Sequence, residues 1–287
     1  MNPPNSDSLF TITPGAGDLP KLTLVAPDGA QAEIYLHGAH VTSWIPAGGQ
    51  ERLFLSRASR FRADAPIRGG IPIVFPQFAM LGSLPQHGFV RVMPWEFVEV
   101  KKAGTGASAI FRLRDTKESR ALWANAFLAE LTLAIDGNQL AVTLAILNTG
   151  TEPFAFTAAF HTYLAVTDLA ATVVETLTGV RYLDKAAGGI ENRQTSPQMG
   201  FSGEVDQVYF DAPAELHLIE PNRTTRIRSE GFPDAVLWNP AAVKCAAVSD
   251  LVPDDYQRFV CVEAGVIGTP INLAPGTRWQ GTQTLLA

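Results

Sequence analysis

The chain has 287 residues, 46% of them hydrophobic and 17% charged, with a formal net charge of −6. Charged residues make up about 25% of an ordinary domain, so the shortfall points to a large buried interior and excludes disorder over most of the chain. The acidic balance offers no footprint for nucleic acid or an anionic membrane, and no apolar run reaches the roughly 18 residues that span a bilayer.

In chain order, Met1 to Phe10 lacks the basic-then-apolar pattern of a secretion signal, so a cytoplasmic setting is expected. Residues 1–20, rich in proline, are expected to form a loose arm, followed by one domain over 21–287. Lys21–Ala26, Gln31–Leu36 and Val41–Ile45 read as short strands between Gly and Pro-Asp-Gly turns. His37 and His40 resemble a metal pair only superficially, because their spacing on an extended chain sends the side chains to opposite faces. No metal is expected there.

Arg68-Gly-Gly-Ile-Pro-Ile-Val-Phe-Pro-Gln77 follows. Its adjacent glycines permit a close backbone approach, with Arg68 at the entrance. Leu84-Pro-Gln-His-Gly-Phe-Val-Arg91 places Gln86, His87 and Arg91 in a loop bracketed by Pro and Gly, where binding groups are often presented. Two arginines on flanking loops could grip a phosphate through paired forks; singly, each reads as a surface ion-pair partner. Ser108–Arg114 alternates as a strand. Phe127–Leu147 reads as a hairpin around Asp136-Gly137-Asn138, and its near lack of charge suits the middle of stacked sheets.

In Phe154–His161, a period of two puts Phe154, Phe156, Ala158 and Phe160 on one face and Ala155, Thr157, Ala159 and His161 on the other. The small residues leave room beside the imidazole. His161 is then either a hydrogen-bonded structural residue or a proton donor. Val243–Leu251 and Asp254–Arg258 read as short helical turns. In Arg258–Gly265 the residues Phe259, Cys261 and Glu263 share a face of an apolar strand. Glu263 is then either an arginine-paired carboxylate or a desolvated base. Cys245 and Cys261 have no Cys-x-x-Cys partners and read as reduced core thiols. Many short strands, frequent turns and few short helices define an all-β class, a large antiparallel β-sandwich.

Taken together, His37–Trp44, Arg68–Pro76, Leu84–Arg91, Phe156–Tyr163, Asp206–Tyr209, Trp238–Pro240 and Val260–Gly265 resemble the hexose-6-phosphate mutarotase (glucose-6-phosphate 1-epimerase) branch of the aldose 1-epimerase family. The resemblance implies a galactose-mutarotase-like sandwich with a sugar groove on one sheet. It carries the catalytic acid onto His161 and the catalytic base onto Glu263. Substrate contacts fall on Arg68, Gln86, His87, Arg91 and Asp206, with Arg68 and Arg91 on the 6-phosphate. No cofactor is implied, and the expected partner is a small phosphosugar, with a monomer compatible. Ala241 after Trp-Asn-Pro, and Val205 and Gln207 around Asp206, depart from that branch's usual pattern and bear on which sugar is bound. A free-aldose mutarotase and a non-catalytic sugar-binding module are the competing readings.

Overall fold

A computed structural model describes residues 9–287. Alternation drives three neighbouring strands: Gly106–Arg114, Phe127–Asp136 and Gln139–Asn148 bury alternate residues along most of their length. The expected hairpin is present, with Asp136 paired to Gln139 and Gly137 at φ 56° making the tight reversal.

The strands form three antiparallel sheets of four, eight and nine strands. The nine-stranded sheet runs Gln198–Gly200, Val173–Glu175, Glu215–Glu220, Arg223–Glu230, Arg278–Leu286, Gln139–Asn148, Phe127–Asp136, Gly106–Arg114, Glu96–Ala103. The eight-stranded sheet centres on Phe259–Leu273, which lies between Asp234–Asn239 and Phe154–Phe160; Tyr163–Ala165 also pairs with its first residues. The strands Val205–Tyr209, Arg181–Asp184 and Ile190–Arg193 extend this sheet at one edge, and Ile73–Val74 closes the other.

One apolar cluster fills the space between the layers, and strand phase decides which residues enter it. Phe154, Phe156, Ala158 and Phe160 belong to it, as do Val260, Val262, Ala264 and Val266. The opposite phase of the same strands supplies two small clusters on the outer face. One contains Phe54, Tyr163, Phe259 and Cys261. The other contains Val74, Phe78, Ala159, Val208, Val236 and Ile267. His161 and Glu263 sit on this outer face, on strands committed to the sandwich by their inward residues.

The expected arm differs from what forms. Phe10–Pro14 is a strand paired with Pro20–Val25, so the sheet made with Gln31–Tyr35 and His40–Ile45 begins eleven residues earlier than expected. Ladder hydrogen bonds order this stretch despite the facing prolines, Pro14 and Pro20, at its turn end. Residues 1–8 lie outside the described part. The helical turns expected at 243–251 and 254–258 appear as Ala241–Ala247 and a 3-10 turn, Asp255–Arg258. The first starts early because Asn239 Oδ1 accepts the Ala241 N–H at 2.9 Å. The helix Lys117–Leu122 carries no strong periodicity and is nucleated by a capping box between Thr116 and Ser119. Among the described residues no helix is long and apolar enough to cross a membrane.

Candidate active site

His161 ends the strand Phe154–Phe160. Its N–H donates to Pro72 O at 3.0 Å, and the Tyr163 N–H donates to Gly70 O at 2.9 Å. These bonds zip the Gly-Gly-Ile-Pro segment alongside His161. The segment can lie there only because Gly69 and Gly70 take φ 114° and 60°; a Cβ on Gly70 would meet Val41 O at 2.1 Å. The close approach expected of these glycines is made to the protein's own backbone.

Arg68 is carried in at the head of this segment. Its Nε donates to Asp250 Oδ1 at 3.1 Å and its Nη1 to the Tyr163 hydroxyl at 3.0 Å. The Tyr163 ring stacks on His161, with centroids 4.8 Å apart and planes 10° off parallel. Tyr163 therefore touches both the arginine and the histidine. His40 and His37 secure the same loop from below: each donates from Nε2, to Gly69 O at 2.7 Å and to Ala65 O at 2.8 Å. Both histidines are buried, and burial lowers the His40 pKa to about 3.

Arg91 enters from the 3-10 turn Val90–Val92, and its Nη2 donates to Gln86 O at 2.7 Å. Arg68 and Arg91 each lower the pKa of His161, and Arg68 lowers that of Arg91. Burial first, and Arg68 second, bring Arg91 down to about 10. Gln86 itself is exposed, and its backbone carbonyl is the part that reaches the site. His87, at φ 64°, accepts the Ala79 N–H on Nδ1 and lies edge-on to His161 at 5.5 Å. Burial lowers its pKa to about 3.

Glu263 projects from the middle of the eight-stranded sheet and is 2% exposed. Its Oε1 lies 3.3 Å from His161 Nδ1. The two are close but not aligned as a hydrogen bond, and His161 Nδ1 and Glu263 Oε2 have no partner. Burial pushes Glu263 well above the usual carboxylate range, and the nearby Asp206 adds to the rise. Burial pushes His161 well below the usual imidazole range, with His87, Arg68 and Arg91 reinforcing it. Both groups are thus driven to their neutral forms. Asp206 pairs with Lys185 Nζ at 3.0 Å, and Trp238 meets the His161 ring edge-on at 5.7 Å. On the same face lies a cavity of about 480 Å³, lined by Phe78, Leu183, Lys185, Val208, Phe210 and Ile267 among others, without His161 or Glu263 in its wall.

The tertiary fold therefore gathers Arg68, His87, Arg91, His161, Asp206 and Glu263 around one spot, with Gln86 at the rim. Sequence reasoning missed three contributors. Tyr163 was within reach of it, since it follows His161 by one strand period. Asp250 and Lys185 sit in turns, where no pattern marks them.

The outer face of this β-sandwich thus holds a desolvated imidazole–carboxylate pair. The fold is that of the galactose-mutarotase-like proteins. A crystal structure of a Salmonella typhimurium protein described as a "putative mutarotase" superposes with a TM-score of 0.90 at 28% identity, covering 98% of this chain and 94% of that one. A galactose mutarotase related enzyme from Lactobacillus acidophilus shares the fold at 16% identity, with a TM-score of 0.74 over 93% of this chain and 96% of that one. The chain belongs to the aldose 1-epimerase family, whose pattern matches residues 20–286. It is an isomerase of that family. A Cenchrus ciliaris protein named "Putative glucose-6-phosphate 1-epimerase" is 38% identical over 94% of this chain and 85% of its own length. An Escherichia coli K12 protein of the same name is 34% identical over 85% and 83%.

Proposed function

We propose that the protein interconverts the α and β anomers of a hexose 6-phosphate, glucose 6-phosphate first among them, by cofactor-free opening and closing of the ring. The observation that carries this reading is the buried His161–Glu263 pair, with Arg68 linked to it through Tyr163, which accepts from Arg68 Nη1 and stacks on His161. A phosphate with nearly two negative charges needs pairing in a buried site, and two guanidinium forks supply it. With Nε and Nη1 engaged by Asp250 and Tyr163, Arg68 has Nη2 left for an oxygen of the phosphate.

Anomer exchange requires the C1 hydroxyl to lose a proton while the ring oxygen gains one. Glu263 takes the first and His161 gives the second. The aldehyde rotates about C1–C2, and the reverse transfers close the other anomer. Each positioned acid or base contributes about 10²–10⁴-fold. In the empty site the neutral carboxyl holds the proton. A bound dianion offsets the arginine charges that hold His161 down, which moves the proton toward the imidazole. The relatives named as glucose-6-phosphate 1-epimerases support the phosphosugar.

A free-aldose mutarotase is the competing reading. The Asp250 contact favours it, since an arginine already paired has less need of a phosphate. Two-dimensional exchange NMR separates the two. Glucose 6-phosphate, glucose and galactose are run with wild type, Glu263→Gln and Arg91→Ala. The phosphosugar reading expects fast exchange for the phosphosugar alone, lost in the first variant and about 10–100-fold weaker in kcat/KM in the second, the worth of one charged hydrogen bond. Equal acceleration of the unphosphorylated sugars, indifferent to Arg91→Ala, would sink it.

A further inference from the structure

Cys261 lies one strand period before Glu263 and shares its outward face. The ligating atoms of His161, Cys261 and Glu263 all lie within 4.8 Å of one another, and all three residues are buried. Two unpartnered polar atoms, His161 Nδ1 and Glu263 Oε2, belong to this same cluster. The other thiol is differently placed: Cys245 Sγ donates to Val252 O at 3.3 Å.

We infer that His161, Cys261 and Glu263 form a three-ligand site for a borderline-soft divalent cation of the Zn²⁺ class, and that an ion bound there blocks the reaction by occupying both proton-transfer groups.

The donor set selects the ion. One thiolate, one imidazole and one carboxylate suit zinc and disfavour magnesium and calcium, which take oxygen ligands. Bond lengths of about 2.0–2.3 Å set donor pairs about 3.3–3.6 Å apart, and His161 Nδ1 to Glu263 Oε1 is already 3.3 Å. A thiolate and a carboxylate neutralise the dication, their protons leaving to solvent on binding, and three protein ligands leave the fourth position of a four-coordinate ion for water or a sugar hydroxyl. Asp206 is close enough to act on both Cys261 and Glu263 and favours a cation, whereas Arg68 opposes it. That balance makes the ion an exchangeable inhibitor rather than a structural one. The inference stands whichever sugar is turned over.

The test uses the untagged full chain, stripped with chelator. Zn²⁺ is titrated into the anomer-exchange assay, and Co²⁺ is titrated separately while the thiolate-to-cobalt charge-transfer band is followed. Wild type should be inhibited, recover with EDTA and show the band. Cys261→Ser, which keeps shape but loses the thiolate, should turn over normally, bind at least about 100-fold more weakly, the upper end of what losing even an outer-shell partner costs, and lose the band. Cys245→Ser should behave as wild type. Should Cys261→Ser fail to fold, Cys261→Ala and Glu263→Gln carry the Co²⁺ measurement, which needs no turnover. A metal-insensitive wild type, or a band and inhibition unchanged without the Cys261 thiol, overturns the assignment. Because the Co²⁺ band does not depend on sugar, its absence is distinguishable from a wrong choice of substrate.

Discussion

Glu263 and His161 are each moved in the direction that burial dictates, and the movements are opposite. In the proposed mechanism the productive state of the pair holds one shared proton, and two groups this close titrate as a unit. It gains a second proton only below the lowered His161 value and loses its last only above the raised Glu263 value. The kcat/KM profile, corrected for the phosphate's own ionisation near about pH 6, should therefore stay flat through neutrality. Its acid limb should fall below the ordinary imidazole value of about 6.5. An acid limb at or above that value would remove the desolvation argument. The same carboxyl bears on stability. Its folded pKa is raised above the unfolded value of about 4.3, so its contribution is full below that pH and is lost as pH rises through the folded value. Glu263→Gln does not titrate. Its melting temperature should match wild type at or below about pH 4 and exceed it increasingly toward pH 8, by about 2–4 °C for each kcal/mol relieved.

At the scale of elements, the site depends on how closely the Arg68 segment approaches its neighbours. Gly70 is at φ 60° with Val41 O 2.1 Å from where a Cβ would stand, while Gly104, at φ 59°, has open space around it. The two are a matched pair. Gly104→Ala should cost only the left-handed strain of about 1–2 kcal/mol. Gly70→Ala adds a backbone clash and should cost at least about 2 kcal/mol more, in line with the large losses that overpacking and backbone strain produce. It should also raise KM for the phosphosugar, because Arg68 moves with the segment. Urea unfolding and exchange kinetics check both. Equal losses in the two variants would mean that the close approach is not what holds the segment.

At the scale of the whole molecule, a chain of net charge −6 meets a proposed dianionic substrate. Long-range repulsion is set against the local field of Arg68, Arg91 and Lys185. Within a groove the local field dominates, since the Debye length is only about 10 Å at 0.1 M salt. Raising salt from about 20 to 200 mM, which shortens that length severalfold, should lower kcat/KM for glucose 6-phosphate and leave any slow turnover of a neutral aldose unchanged. Stopped-flow polarimetry reads both. A salt-independent phosphosugar rate would argue that the arginines do not meet the phosphate.

The sequence alone determined the all-β class, the hairpin at Gly137 and the face on which each residue of Phe154–Phe160 and Phe259–Gly265 lies. These follow from local physics: a strand alternates strictly, and a buried face tolerates only apolar side chains. The strand at Phe10–Pro14 was not legible, because an edge strand is made by its ladder partner and not by its own composition. Only the tertiary structure decided that His161 and Glu263 meet, that Asp250 and Tyr163 hold Arg68, and that Lys185 faces Asp206. Those residues lie far apart in the chain, and their distances are set by sheet order and by a glycine-thinned backbone crossing. For Glu263 the sequence left an arginine-paired carboxylate and a desolvated base both open, and the tertiary burial decided for desolvation, since that belongs to the surroundings of a side chain.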